Sequence, residues 1–171
     1  METVNEARHI YYYSLRDIPP ELEKISRACL KAFEVRERFF HMEFFRIAPN
    51  QYVALEVNMR PPGGHTTDMF NYACDIDIYR TWAELLVHQK TQFKYCRDYY
   101  CCYASRKDTL RYTHGHADIL TRYDGFMVQV EKIPGVFSSA LGDIGYIFRA
   151  SDIDQVLEIV RFIHQTEGSA G

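Results

Sequence analysis

Apolar and polar positions recur with two different periods along this chain, and the changes of period divide it into elements. Residues 10–14 (Ile-Tyr-Tyr-Tyr-Ser) read as a short strand. Pro19-Pro20 then opens a helix that runs to about Phe33, because Leu22, Ile25, Cys29, Ala32 and Phe33 recur at helical spacing. A period of two takes over in two strands, roughly 38–47 and 51–60. Ala48-Pro49-Asn50-Gln51 joins them with turn residues, as a hairpin requires. Arg60-Pro61-Pro62-Gly63-Gly64-His65 must be a loop, since two prolines and two glycines neither continue a strand nor start a stable helix. Thr66 to Ala73 and Ile76 to Val87 return to helical spacing.

The second half alternates again. Residues 95–105 interleave tyrosines with cysteines and read as a strand. Gly115 to Arg122 reads as a short helix, Gly125 to Lys132 and Ile144 to Phe148 as strands. Ser151, with Asp154 three residues on, marks the start of a last helix that packs through Ile153, Val156, Leu157, Val160 and Ile163. The tail from Glu167 is expected to fray. The pattern predicts an α+β fold, an antiparallel β-sheet flanked by helices. It divides into a first lobe over 1–94 and a C-terminal αβ subdomain over 95–171.

Composition narrows the function. The chain has 171 residues, 47% of them apolar and 25% charged, enough for a real core. Its net charge of −3 supplies no basic excess to neutralise a nucleic acid or an anionic membrane. No apolar run reaches the ~18 residues of a membrane span, and the start has no basic targeting segment. Cysteines at 29, 74, 96, 101 and 102 form no C-x-x-C pair, which points to buried thiols in a reducing cytoplasmic compartment.

The hairpin carries the chemistry. Alternation puts Glu56, Asn58 and Arg60 on one face of the second strand. Val53, Leu55, Val57 and Met59 take the other, which is expected to be core. If the four turn residues 48–51 are excluded, Ile47 faces Tyr52, Glu43 lies opposite Glu56, and His41 lies opposite Asn58. Phe39, Phe45, Ile47 and Tyr52 are then expected on the Glu43/Glu56 face. Opposed glutamates repel on a bare sheet, whereas a divalent cation would reverse the sign. Two carboxylates and an amide oxygen are hard donors of the kind that suits Mg²⁺ when phosphate oxygens complete its shell. Arg60 could hold a phosphate or carboxylate in bidentate fashion. The competing reading is a solvated hairpin face without a ligand. His41 could assist catalysis or donate a hydrogen bond within the acidic face, and the latter is the favoured reading.

These residues also carry a resemblance. Phe-His-Met-Glu-Phe-Phe, a short turn, then Glu-Val-Asn-Met-Arg-Pro-Pro-Gly-Gly resembles the C-terminal lobe of the ATP-grasp superfamily. The stretch Asp75-Ile76-Asp77-Ile78-Tyr79-Arg80-Thr81-Trp82-Ala83 is similar to the helix entry that follows in its carboxylate–amine ligases, and Gly142 to Phe148 more loosely so. The specific match spans about 39–86 and lies nearest the carbamoyl-phosphate-synthase-like or amino-acid-ligase-like branch. The resemblance implies an ATP-dependent ligase acting through an acyl phosphate, with Mg²⁺ (or Mn²⁺) on Glu43, Glu56 and Asn58. It implies Arg60 as the catalytic contact to the γ-phosphate or acyl phosphate, and Gly63, Gly64 and His65 beside a small carboxylate or amino-acid substrate. That family's other lobe supplies a lysine, a glycine-rich loop and the adenine hinge. Nothing before Ile10 corresponds to it, so the chain is expected to be a C-terminal fragment that completes its site with a lobe in cis or in trans and is inactive alone. The alternative of another class is a non-catalytic binding or dimerisation module.

Elsewhere the expectations are structural. His114-Gly115-His116 lacks a third ligand at useful spacing and reads as packing. Asp75 and Asp77 read as helix caps, Asp68 as an acid favourable to a helix dipole, and Trp82 as core. Cys29 and Cys74 lack a paired histidine.

Overall fold

The computed structural model describes residues 8–36 and 38–168. They form two compact units: residues 15–97 make one, and the chain on either side of that stretch makes the other.

In the flanking unit, β1 (Tyr11–Tyr13), β4 (Tyr100–Arg106), β5 (Met127–Lys132) and β6 (Ile144–Ala150) form one antiparallel sheet in the order β1-β4-β6-β5. Helix α4 (His116–Tyr123) connects β4 to β5, and α6 (Ile153–His164) follows β6. The connectivity is a split β-α-β pattern in which the N-terminal strand takes the outer position beside β4. That strand was expected within a first lobe over 1–94; its ladder, Tyr11 to Ala104 and Tyr13 to Cys102, joins it to the C-terminal sheet instead. Sequence distance hides such a pairing, because the partner strands lie some ninety residues apart.

The core of this unit lies between the sheet and its helices. Cys102, Ala104, Tyr146, Phe148 and Ala150 meet Ile119, Tyr123, Val156, Ile159, Val160 and Ile163, all buried. The opposite face of the sheet is also covered. Tyr103 is buried there and donates its hydroxyl to the Leu141 carbonyl at 2.6 Å. Its ring packs so closely on Gly145 that a Cβ there would lie 2.6 Å from it, which is why the β6 position must be glycine. Leu141 ends a short helix, α5 (Gly135–Leu141), that the periodicity did not announce. Buried Lys107 ties this helix down by donating to the carbonyls of Ser138 and Ser139. Arg106 does the same for α6, donating from Nε to Ile163 O at 2.7 Å near the negative helix end, and stacks over Tyr112 at 4.3 Å.

Several boundaries moved for local reasons. Asp152, not Ser151, caps α6, accepting from Asp154 N at 3.1 Å. Strand β4 starts at Tyr100, because residues 95–99 make no ladder. Glu167 is tied down through its N–H to Arg111 O, so fraying does not begin there. His114 stacks on Phe162 at 3.6 Å and His116 bonds the Tyr146 hydroxyl at 2.8 Å, so the two histidines do separate packing work.

The inner unit contains α1 (Pro20–Ala32), the hairpin β2 (His41–Ala48) and β3 (Gln51–Asn58), α2 (Thr66–Cys74) and α3 (Ile78–His88). Asp77 caps α3 by accepting from Arg80 N at 2.9 Å, and Asp75 ends α2 in the left-handed region. This unit is thinly cored. Helix α1 fully buries none of its residues. Val53, Leu55 and Met59, expected as core, are 48%, 55% and 42% exposed, and Phe45 and Ile47 still more so. A two-stranded hairpin has too little sheet to cover both of its own faces.

Two stability predictions follow from the flanking unit. Ile159→Ala removes a fully buried side chain and should cost about 2–5 kcal/mol in urea unfolding. The second concerns acid. Burial, and the His9 ring stacked on it at 3.8 Å, push His164 down from 6.5 to about 3. The unfolded chain therefore takes up this proton at a pH where the native state does not. Its share of stability is intact above pH about 6.5 and is lost progressively as the pH falls toward 3. In urea titrations across this window, His164→Phe should show a flatter loss of stability than the parent protein.

Candidate metal centre

The hairpin's register is set at its turn. Ala48 pairs with Gln51, leaving only Pro49 and Asn50 as loop. Proline holds φ near about −65° and Asn50 takes φ +57°, the pattern of a type II turn. Such a turn does not match the twist of a two-residue hairpin. The ladder then slips: Ile47 is left over on β2, so Tyr52 faces Arg46 rather than Ile47. A second slip leaves Leu55 over on β3. The two irregularities cancel. Glu43 faces Glu56, and His41 faces Asn58, as the simple count predicts. Between the bulges the faces are exchanged: Val53 opposes Phe45 and so joins the Glu43 face, while Tyr52 leaves it.

Glu43, Glu56 and His41 bring one ligand atom each within 4.8 Å of one another. Both carboxylates are exposed and His41 is half-buried. His41 Nδ1 lies 3.1 Å from the carbonyl oxygen of Arg60. That oxygen only accepts, so Nδ1 carries the proton and Nε2 keeps a lone pair. Asn58 Nδ2 lies 3.1 Å from Nε2 and 2.6 Å from Glu56 Oε1, donating to both. The imidazole and the carboxylate thus aim their lone pairs at one neutral NH₂ donor. His41, expected to donate within this face, accepts there instead. Asn58, expected to offer an oxygen, presents its nitrogen.

The remaining expected residues follow directly. Arg60 lies just beyond the end of β3; its guanidinium is exposed and donates to Pro61 O at 3.0 Å. Thr67 donates to Pro62 O at 3.2 Å and pins the loop to the first turn of α2. Gly64 adopts φ +61°, a conformation costly for other residues, and a Cβ on Gly63 would meet open space. His65 is the N-cap residue of α2, with its carbonyl accepting from Met69 N at 2.8 Å. Asp68 does more than favour the helix dipole: it accepts from the Tyr79 hydroxyl at 2.7 Å. Burial and that bond raise the phenol to about 12.

Sequence reasoning missed a cleft of about 580 Å³ at the same end of the hairpin. Phe39 and Met59, which flank the cluster in sequence, line it with Trp82, Leu85, Arg36 and Arg38. Trp82, expected as core, is a half-buried wall of this cleft, its ring 6.3 Å from that of Phe39. The arginines precede β2, where no periodicity marks them.

The donor types fit a divalent cation chemically: two carboxylates and an imidazole whose unprotonated nitrogen faces them, with the Asn58 amide, which now fills that nitrogen and Glu56 Oε1 with its N–H groups, having to turn before its oxygen could join. No family model matches the chain, and no curated protein is significantly similar to it.

The opposed carboxylates make a direct prediction. In EDTA, Glu43→Gln should stabilise the protein by roughly 0.2–1 kcal/mol, since it removes a like-charge pair. In thermal melts with millimolar Mn²⁺ the order should reverse, the parent protein melting above the variant.

Proposed function

We propose that this chain is the metal- and phosphate-binding part of an ATP-dependent carboxylate–amine ligase, resembling the C-terminal lobe of the ATP-grasp superfamily. The observation that carries this reading is that Glu43, Glu56 and His41 bring one ligand atom each within 4.8 Å of one another, on a hairpin that runs straight into a Gly-Gly loop. A like-charge pair held in register by two compensating bulges is costly on a bare sheet, and a cation removes the cost.

Glu43 and Glu56, with Asn58 once its amide turns to present oxygen, would hold Mg²⁺ or Mn²⁺, which would supply charge neutralisation for a transferred phosphoryl group. The chain's own groups do the rest. The Arg60 guanidinium lies exposed just past the cluster, free to exchange its bond to Pro61 O for a phosphate or acyl phosphate. Gly63 and Gly64 let a substrate approach the backbone closely, and His65 borders that approach. Arg36 and Arg38 add anion-binding groups at the rim of the adjoining cleft, whose Trp82 and Phe39 walls suit the apolar body of a carboxylate. The uncovered apolar side chains of the hairpin suit a further lobe, in cis or in trans, that completes the ATP site. In the full-length protein, amino-acid-dependent ADP release should require Mg²⁺ or Mn²⁺ and fall about 100-fold or more in Glu56→Ala. Release that is unchanged in this variant would refute the ligase reading.

The same exposed Phe45, Ile47, Val53 and Leu55 favour a second reading, a non-catalytic binding or dimerisation module. Concentration-dependent dimerisation in sedimentation runs, abolished by Phe45→Asp and without any effect of ATP or cations, is the outcome this reading expects.

A further inference from the structure

We propose that His41 is itself a ligand of the cation held by Glu43 and Glu56, and that it makes the site prefer a first-row transition ion to Mg²⁺. The inference rests on the cation reading above and goes beyond it, because a site built only of oxygen donors discriminates less in this direction than one with an imidazole.

A histidine that ligates through one nitrogen is characteristically fixed by a hydrogen bond from the other. His41 has that bond already, from Nδ1 to Arg60 O at 3.1 Å, made to a backbone group outside the cluster. This leaves Nε2 unprotonated in the tautomer that ligation needs. Nε2 lies 3.6 Å from Glu56 Oε1. Two acceptor atoms at that separation share no proton, but both point at the Asn58 amide nitrogen. The amide N–H groups now fill both acceptors, and an ion ligated by His41 and Glu56 takes their place. Glu43 completes the set across the ladder. The ring is half-buried, with its side chain 14% exposed, so little order is left to impose when an ion binds.

The selectivity follows from donor type. Mg²⁺ takes oxygen ligands and keeps its waters, gaining little from an imidazole. Mn²⁺ and the ions after it, through Zn²⁺, gain increasingly from nitrogen. One neutral imidazole with two carboxylates is therefore a site for those ions, filled by Mg²⁺ only when it is in large excess.

Calorimetric titrations of the protein with Mn²⁺, Zn²⁺ and Mg²⁺, each in turn, test this. The parent protein should bind Mn²⁺ at least tenfold, and Zn²⁺ more than tenfold, more tightly than Mg²⁺. His41→Gln offers an oxygen in place of Nε2. It should keep Mg²⁺ affinity within about threefold and narrow the gap between Mg²⁺ and the two transition ions. His41→Ala should lose Mn²⁺ and Zn²⁺ affinity at least tenfold. In parallel, the His41 Nε2 resonance in ¹⁵N spectra should move on addition of Zn²⁺. Circular dichroism of each variant checks that the hairpin unit stays folded. If both variants lower affinity for all three ions by one common factor, or the Nε2 resonance stays put, His41 is only a positioning residue and the inference falls alone. If the parent protein binds none of the ions, the cation reading falls with it.

Discussion

The Glu43–Glu56 pair is the interaction on which the rest of this account depends. Direct opposition of two carboxylates across an antiparallel ladder is unfavourable, yet the hairpin arrives at it by a route that could easily have missed. Pro49 enforces an unprimed turn, Ile47 bulges out to absorb the mismatch, and Leu55 bulges on the other strand. Had only one of these slips occurred, the opposed partners would have shifted by one residue and the two carboxylates would have separated. The cancelling pair keeps them together and leaves Asn58 to bridge Glu56 with His41. The amide N–H groups hold Glu56 and His41 in place but leave the repulsion between Glu43 and Glu56 uncompensated.

The two units differ in kind. The sheet β1-β4-β6-β5 buries side chains on both faces and secures its flanking helices with Arg106 and Lys107, two long cations that reach helix-end carbonyls. That unit has what it needs to be stable in itself. The hairpin unit leaves Phe45, Ile47, Val53 and Leu55 in contact with solvent and buries no residue of α1 completely. Apolar surface of this extent on a small unit calls for a cover, and the Glu43, Glu56 and His41 cluster lies on the less covered unit.

Much of this was legible in the sequence where the signal is local. The helix from Pro20, the Asp77 cap, the Gly-Gly loop and the Glu43/Glu56 and His41/Asn58 pairings all follow from proline, cap and alternation rules. What failed needed information that local rules lack. A strict period of two assigned Val53 and Leu55 to a core, but a bulge inverts the period and no further layer of this unit covers them. The partner of β1 lies some ninety residues away, so no local pattern names it. Lys107 reads as a surface charge until α5 is present to receive it. At the site itself, residue types revealed the donors but not their roles. Only the position of Arg60 O shows that the inward nitrogen of His41 is the acceptor, and only the Asn58 geometry shows that the amide nitrogen stands between the acceptors.

The most direct test of the central claim, that this face of the hairpin holds a divalent cation, is paramagnetic broadening of backbone amide resonances by substoichiometric Mn²⁺. The account predicts selective loss of the signals of His41, Glu43, Glu56 and Asn58 and their immediate neighbours, restored by EDTA and absent in Glu56→Gln. Broadening spread evenly over the exposed acidic residues, or identical in the variant, would show that the paired carboxylates are a solvated face and would contradict the claim.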